Sequence, residues 1–397
     1  MVGRSRFRRL AWVGLFSAGE GLPFGIFKDL VPVWLRASGV SLQAIGGLSA
    51  LAAPWSLKVF WSPLVDRVGT RRAWIVACLV GAGAALAAAA TAGIASPRLL
   101  GLLLAAFTVL AATSDVAVDA WTIGIVPEGE EGPANAVRVA LYRVAMLLAG
   151  GIGVAAAGTT SWRNVQLALA VVLAGIGLAA LAAPPLPFEA RSREHSSLAA
   201  GVARWLARPG AAPLALLVLL YKWPDAALGP MVRTFWVDSG LSLETIGLVA
   251  SPLGLAGTIV GAALGGWFVA RAGILRGLFW LGLAQALSNL AYAGAAAAGG
   301  ISLLVLGAAW VESLCGGLGT AAFLSLLMRV CEKERAAVEY ALLTALFAST
   351  RDLTGAISGI GVARFGYAGW FAVTTLLAIP GLLLVFHPSL AGRVGER

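Results

Sequence analysis

Residues 98–126 read RLLGLLLAAFTVLAATSDVAVDAWTIGIV, an apolar run whose interior holds only two charges, Asp115 and Asp119. A spanning helix needs about 20 predominantly apolar residues, and this run is too long and too uniformly apolar for a barrel strand. It therefore reads as a membrane helix. A carboxylate inside such a helix is costly and faces a partner or a water-filled cavity. One stretch thus predicts both a bilayer span and a polar interior.

The rest of the chain repeats the pattern. Of 397 residues, 59% are hydrophobic and 12% charged, against roughly a quarter charged in soluble domains. Apolar segments cover 9–35, 42–65, 73–94, 98–126, 134–158 and 163–183, then 210–237, 244–270, 274–297, 300–328, 336–363 and 367–387. We number these spans 1 to 12. Together they predict an all-α polytopic membrane protein with an N-terminal six-helix bundle (1–183), a linker (184–209) and a C-terminal six-helix bundle (210–397). The linker, with Pro184-Pro185-Leu186-Pro187 and Arg191 to His195, is the one long polar stretch, and it is too short to build a domain. Fifty glycines in an Ala-rich background suit close helix packing in lipid.

The formal charge of +10 is placed for lipid, not nucleic acid. With the N-terminus in the cytoplasm, about eighteen Lys and Arg fall on that side and about four on the other. The cytoplasmic set includes Arg4 to Arg9, Arg71, Arg72, Arg191, Arg193, Arg271 and Arg335; the opposite set is Arg36, Arg98, Arg163 and Arg364. This bias requires an even number of spans with both termini inside, its cations meeting anionic lipid. Cys78, Cys315 and Cys331 have no metal-like or disulfide spacing. His195 and His387 accompany no acid in a catalytic spacing, no nucleophile sits beside a base, and nothing calls for a cofactor. An enzyme is therefore disfavoured, and a monomer is expected.

An internal duplication runs through the chain. Ser38-Gly39-Val40-Ser41-Leu42 with Ile45-Gly46 recurs as Ser239-Gly240-Leu241-Ser242-Leu243 with Ile246-Gly247. Gly151-Ile152-Gly153-Val154 recurs as Gly359-Ile360-Gly361-Val362, and Arg143 matches Arg351 in that frame. Solute carriers are built this way, with their site at the repeat interface.

The charges inside the spans locate candidate site residues. Span 1 carries Glu20, Lys28 and Asp29; span 2, Lys58; span 4, Asp115 and Asp119; span 5, Arg143, with Arg138 nearer its end. Span 7 carries Lys222, Asp225 and Arg233; span 10, Glu312; span 11, Arg351 and Asp352, with Glu339 near its start. The interiors of spans 3, 6, 9 and 12 carry none, so they can face lipid while the other eight surround something polar. That pattern resembles the major facilitator arrangement, two six-helix bundles with those four spans outside. Asp115 and Asp119, four apart, share a helix face. Either one carries a proton, since two adjacent carboxylates in low dielectric resist joint ionisation, or each pairs with an arginine nearby. Asp225, Glu20 and Glu312 are further proton-coupling candidates. Lys58, Arg143, Lys222 and Arg351 are candidates to hold an anionic solute, although Lys222 and Asp225, three apart, can pair within their helix. Prolines and glycines (Gly19, Gly21, Pro23, Gly25 and Pro32 in span 1; Pro224, Gly229 and Pro230 in span 7) predict interrupted helices beside a cavity. Trp55 and Trp121 are among the aromatics that could stack on a sugar ring.

Two resemblances follow. Asp66-Arg67-Val68-Gly69-Thr70-Arg71-Arg72 resembles the major facilitator loop D-R-x-G-x-R-R, with Arg271-Ala272-Gly273 in the second half. The resemblance implies gating roles for Asp66, Arg67, Gly69, Arg71, Arg72 and Arg271. Lys58 to Arg67, Ser114-Asp115-Val116-Ala117-Val118-Asp119-Ala120-Trp121, Tyr142-Arg143, Leu220-Tyr221-Lys222 with Asp225, Ser288-Asn289, and Glu312 to Thr320 resemble the AmpG-type muropeptide permeases over nearly the whole chain. That resemblance implies proton-coupled import of an anhydro-muropeptide from periplasm to cytoplasm across a bacterial inner membrane, with Asn289 and Trp121 added to the solute contacts. The alternative within the family is a siderophore or an acetyl-CoA-type coenzyme. Ser114 (where AmpG proteins tend to have glutamine), Trp223-Pro224 and Pro252 depart from the AmpG pattern near the expected cavity and bear on the solute.

Overall fold

A computed structural model describes residues 2–127, 131–186, 207–208, 210–330 and 336–390. Most of the 184–209 linker therefore lies outside the described residues. Among those described there is no strand. The helices are α1 (Val2–Gly25), α2 (Val31–Ala37), α3 (Leu42–Leu48), α4 (Ala53–Leu57), α5 (Ser62–Arg67), α6 (Arg71–Ala92), α7 (Pro97–Ile125), α8 (Glu131–Leu147), α9 (Gly153–Thr159) and α10 (Trp162–Ala179). After the linker come α11 (Ala211–Tyr221), α12 (Trp223–Asp238), α13 (Leu243–Thr245), α14 (Ser251–Ala272), α15 (Ile274–Ala297), α16 (Ser302–Val330), α17 (Ala336–Leu376) and α18 (Ala378–Leu384). Helix is the form that satisfies every backbone group within its own segment, as lipid requires.

Nine helical stretches among the described residues are long and apolar enough to cross a membrane. The remaining predicted spans are helical too, with differences that have local causes. Span 2 is broken into α3, α4 and α5 with 3₁₀ turns between them, because Pro54 and Pro63 each start a new short helix and supply no amide donor to the turn before. Span 9 is the single helix α15, made less apolar by Gln285 and Asn289. Spans 11 and 12 run together as α17, whose backbone breaks at Gly366 (φ 67°). In span 1 the interruption is a π turn at Ile26–Leu30; in span 7 it falls at Lys222, between α11 and α12.

The repeated Ser-Gly-x-Ser-Leu is a helix stop and restart. Gly39 and Gly240 take φ of 82° and 75°, open only to glycine without strain. Their amides close the preceding helix on Arg36 and Val237 carbonyls at 2.9 and 3.0 Å. Ser41 and Ser242 then cap the next helix, accepting from the Ala44 and Thr245 amides at 3.3 and 3.1 Å, as N-cap serines do.

The chain forms two compact units. Unit 1 comprises residues 1–39, 51–193 and 242–248; unit 2 comprises 40–50, 194–241 and 249–397. Each takes in a short piece from the other half of the sequence. In unit 1 a Cβ at Gly247 would collide with the Gly151 carbonyl; in unit 2 one at Gly359 would collide with the Leu42 carbonyl. Gly151 and Gly359 are the repeat-equivalent glycines, so the duplication reappears as two similar backbone crossings.

Other glycines set the helix spacing inside each unit. Along α1, a side chain at Gly21 would strike the Tyr142 carbonyl and one at Gly25 the Met146 backbone; Gly150 leaves room for Asp29. Span 1 therefore lies directly against span 5. In unit 2, α14 packs on α16 through Gly257, Gly261 and Gly265, with Gly317 returning the contact onto the Thr258 carbonyl. Small residues at four-residue spacing permit this backbone approach.

Gly261→Leu, which would drive a side chain into the Leu314 carbonyl, is expected to cost at least about 1–3 kcal/mol of overpacking. Gly266→Leu, with nothing within 4 Å, is expected to be neutral. Thermal denaturation of the two variants in detergent, followed by fluorescence-detected gel filtration, checks the contrast.

Candidate functional site

Six charged residues of unit 1 converge. Glu20 comes from α1, Asp115 and Asp119 from α7, and Arg138 and Arg143 from α8. Lys58 lies in the 3₁₀ turn Lys58–Phe60 of span 2, off the regular helix path. Arg138 Nη2 lies 3.3 Å from Glu20 Oε1 and also pairs with Asp119 Oδ1. Lys58 Nζ is 3.8 Å from Asp119 Oδ2 and 3.5 Å from Asp115 Oδ2. The five groups form an alternating series, Glu20–Arg138–Asp119–Lys58–Asp115, that ties four spans together.

Its two ends are buried, Glu20 at 4% exposure and Asp115 at 9%; the Asp119 side chain in the middle is 39% exposed. Asp115 Oδ1 is buried without a hydrogen bond of normal geometry, although the Trp55 side chain lies beside this carboxyl. The series lines a cavity of about 350 Å³ together with Tyr142 and Arg143. Arg143 is exposed and makes no ion pair or hydrogen bond among the described residues. Aromatic rings border the charges: Phe24 meets Trp55 edge-on at 5.4 Å and Tyr142 at 6.2 Å, and Phe27 lies 5.8 Å from Trp55.

Unit 2 holds a second, closed cluster. Lys222, 4% exposed, donates to Asp225 Oδ2 at 2.9 Å, Gln285 Oε1 at 3.0 Å and Thr320 Oγ1 at 2.9 Å. An ammonium has three donors, and all three are used. The Gln285 amide donates in turn to Asp225. The void beside them measures about 10 Å³, room for about one water. Glu312 accepts from the Ser313 hydroxyl at 3.4 Å.

Other sequence-predicted site residues fall elsewhere. Trp121 is fully buried, edge-on to Phe16 at 4.8 Å, with its indole N–H donating to the Pro184 carbonyl at 3.3 Å. Asn289, also buried, donates to Thr374 at 3.0 Å. Neither lines the cavity of unit 1 or the small void of unit 2. The side chains of Arg351, Asp352, Glu339, Asp66 and Arg67 lie outside the described residues. In the loop after α5, Gly69 takes φ 68° and Thr70 caps α6. Arg72 donates to the Ala183 carbonyl at 2.5 Å, complementing the end of span 6 as a cation at a helix C-terminus does. Arg71 is half-buried, and Arg271 stacks on Trp267 with its guanidinium 4.4 Å from the ring centre.

The structure adds three residues to the candidates. Arg138, which sequence position puts near a helix end, is the hub of the unit 1 series. Gln285 and Thr320 complete the shell around Lys222; both are uncharged, and a polar amide in the otherwise apolar span 9 is the signal that marks Gln285.

The sequence model of the Major Facilitator Superfamily matches residues 13–222. The chain is 31% identical over 395 residues to the anhydromuropeptide permease of Escherichia coli (strain K12), covering 95% of this chain and 79% of that one. It is 27% identical to the putative transporter AmpG 4 of Rickettsia conorii, covering 96% of each. The fold is similar to that of a bacterial homologue of the human lysosomal transporter Spinster (TM-score 0.78, 14% identity, 99% of this chain and 98% of that one). It is similar as well to the nucleoside transporter NupG (TM-score 0.74, 13% identity, 98% and 100%). Spans, internal duplication, polar cavity and these similarities agree: the chain is a multi-pass membrane transporter that belongs to the Major Facilitator Superfamily and, within it, to the AmpG-type muropeptide permeases.

Proposed function

We propose that the protein imports an anionic anhydro-muropeptide, of the GlcNAc-anhydroMurNAc type, from periplasm to cytoplasm by alternating access, coupled to protons. The carrying observation is the unit 1 cavity, in which three carboxylates engage two cations and a third cation, Arg143, is left for a solute. The similarity to the anhydromuropeptide permease supports the solute class. The Phe24–Trp55–Tyr142 rings offer faces against which a sugar can lie, as aromatic bodies with polar tips do at binding sites. The membrane is the bacterial inner membrane, both termini are cytoplasmic, and the protein acts as a monomer.

In this reading Arg143 holds a carboxylate of the solute. Lys58 orients the acids, and Asp115, Asp119 and Glu20 carry or relay the proton. Lys222 and Asp225 maintain the break between α11 and α12. Arg351, the repeat partner of Arg143, is a second anion contact. Glu312 is the remaining acid available for coupling, and the Asp66–Arg72 loop with Arg271 governs opening at the cytoplasmic face.

Uptake of radiolabelled GlcNAc-anhydroMurNAc into proteoliposomes tests the reading; no uptake and no counterflow by the intact protein would remove it. Arg143→Ala is expected to raise KM about ten- to hundredfold, the worth of one charge-assisted hydrogen bond, with thermal stability unchanged. Lys222→Ala is expected to act on the fold, because losing one partner of a buried pair costs about 3–5 kcal/mol; detergent melting curves separate it from Arg143→Ala.

A further inference from the structure

The unit 1 cavity is balanced in charge. Glu20, Asp115 and Asp119 bring three negative charges when ionised; Lys58, Arg138 and Arg143 bring three positive ones. The sum is zero. Desolvated net charge is expensive in low dielectric, so a solute anion entering this cavity requires a compensating positive charge. No unpaired cation beyond Arg143 lines the cavity, and an arginine is protonated throughout. The compensation must therefore be a proton on one of the acids.

The geometry ranks the three acids. Asp119 sits between both cations of the series, with one oxygen toward Arg138 and the other toward Lys58. Glu20 is held by the fixed charge of Arg138. Among the described residues Asp115 forms an ion pair with one cation, Lys58, at 3.5 Å and shared with Asp119; the Trp55 side chain lies beside its carboxyl, and its buried Oδ1 lacks a partner of normal hydrogen-bond geometry. When Asp115 is neutral, Glu20–Arg138–Asp119–Lys58 alternates and cancels by itself, and Arg143 is left to meet one anionic group.

We infer that the cavity takes up one proton, on Asp115, with one negative charge of the solute, so that a monoanionic solute moves with no net transfer of charge. This rests on the reading of the cavity as a proton-coupled anion site. It deepens that reading by fixing the carrier and the stoichiometry. No bond other than O–H forms: the proton joins Asp115 from the compartment that supplies the solute and leaves to the one that receives it.

The test uses the full-length protein in proteoliposomes and labelled GlcNAc-anhydroMurNAc, whose lactyl carboxylate is its one anionic group. Valinomycin with potassium gradients sets the membrane potential independently of the pH gradient. Linkage of one proton to one solute predicts about tenfold accumulation per unit of pH difference, acidic outside, and none from an inside-negative potential alone. Asp115→Asn is expected to lose pH-driven accumulation and the pH dependence of solute binding while retaining counterflow. Asp119→Asn, which breaks the series at its centre, is expected to lose counterflow as well. Accumulation driven by potential alone, or an Asp115→Asn variant that accumulates like the wild type, would overturn the inference while leaving the muropeptide reading intact. Absence of wild-type counterflow would overturn that reading and the inference together.

Discussion

An ionised side chain inside a bilayer must find its countercharge within the protein, and in unit 1 that constraint organises the structure. Each carboxylate of Glu20, Asp115 and Asp119 reaches a cation on a different span, and each of Arg138 and Lys58 serves two acids. No span of this site is stable in its position without the others. Arg138 cannot pair with Glu20 unless α1 lies against α8, and the glycines at 21 and 25 permit that approach. Lys58 reaches both aspartates from a 3₁₀ turn that lies between the short helices begun by Pro54 and Pro63. Backbone irregularity at membrane depth is tolerated where it lines a cavity, which is where it occurs here.

The spans were legible from hydropathy, because the length of an apolar run is a one-dimensional property. The Ser-Gly-x-Ser-Leu motif was legible as a repeat, and the structure adds that its glycine and serine stop one helix and cap the next. Asp115 and Asp119 were marked by their spacing on one face. What hydropathy could not convey is which cation each acid meets, since that depends on the rotation of one helix against another. Lys58 had no partner near it in sequence and has two in space. The partners of Trp121 and Asn289, the Pro184 carbonyl and the Thr374 hydroxyl, are equally invisible in sequence, being 63 and 85 residues away. The breakage of span 2 was hidden for a different reason: its prolines lie inside an apolar window whose average is unaffected by them.

Each unit holds a lysine among acids, at positions that do not correspond in the repeat: Lys58 in span 2 and Lys222 in span 7. Lys58 is 29% exposed along its side chain and shares long contacts with two acids, so a modest rearrangement moves it from one to the other. Lys222 is surrounded by three acceptors at about hydrogen-bond length and by an amide that also holds its partner acid. A donor set that is full has nothing to offer an incoming anion. A buried polar network that is fully satisfied fixes geometry, whereas one with an open valence can change state. The duplication therefore supplied two similar frames, of which unit 2 holds a lysine with its donors filled and unit 1 holds a cavity where Arg143 has no ion pair among the described residues.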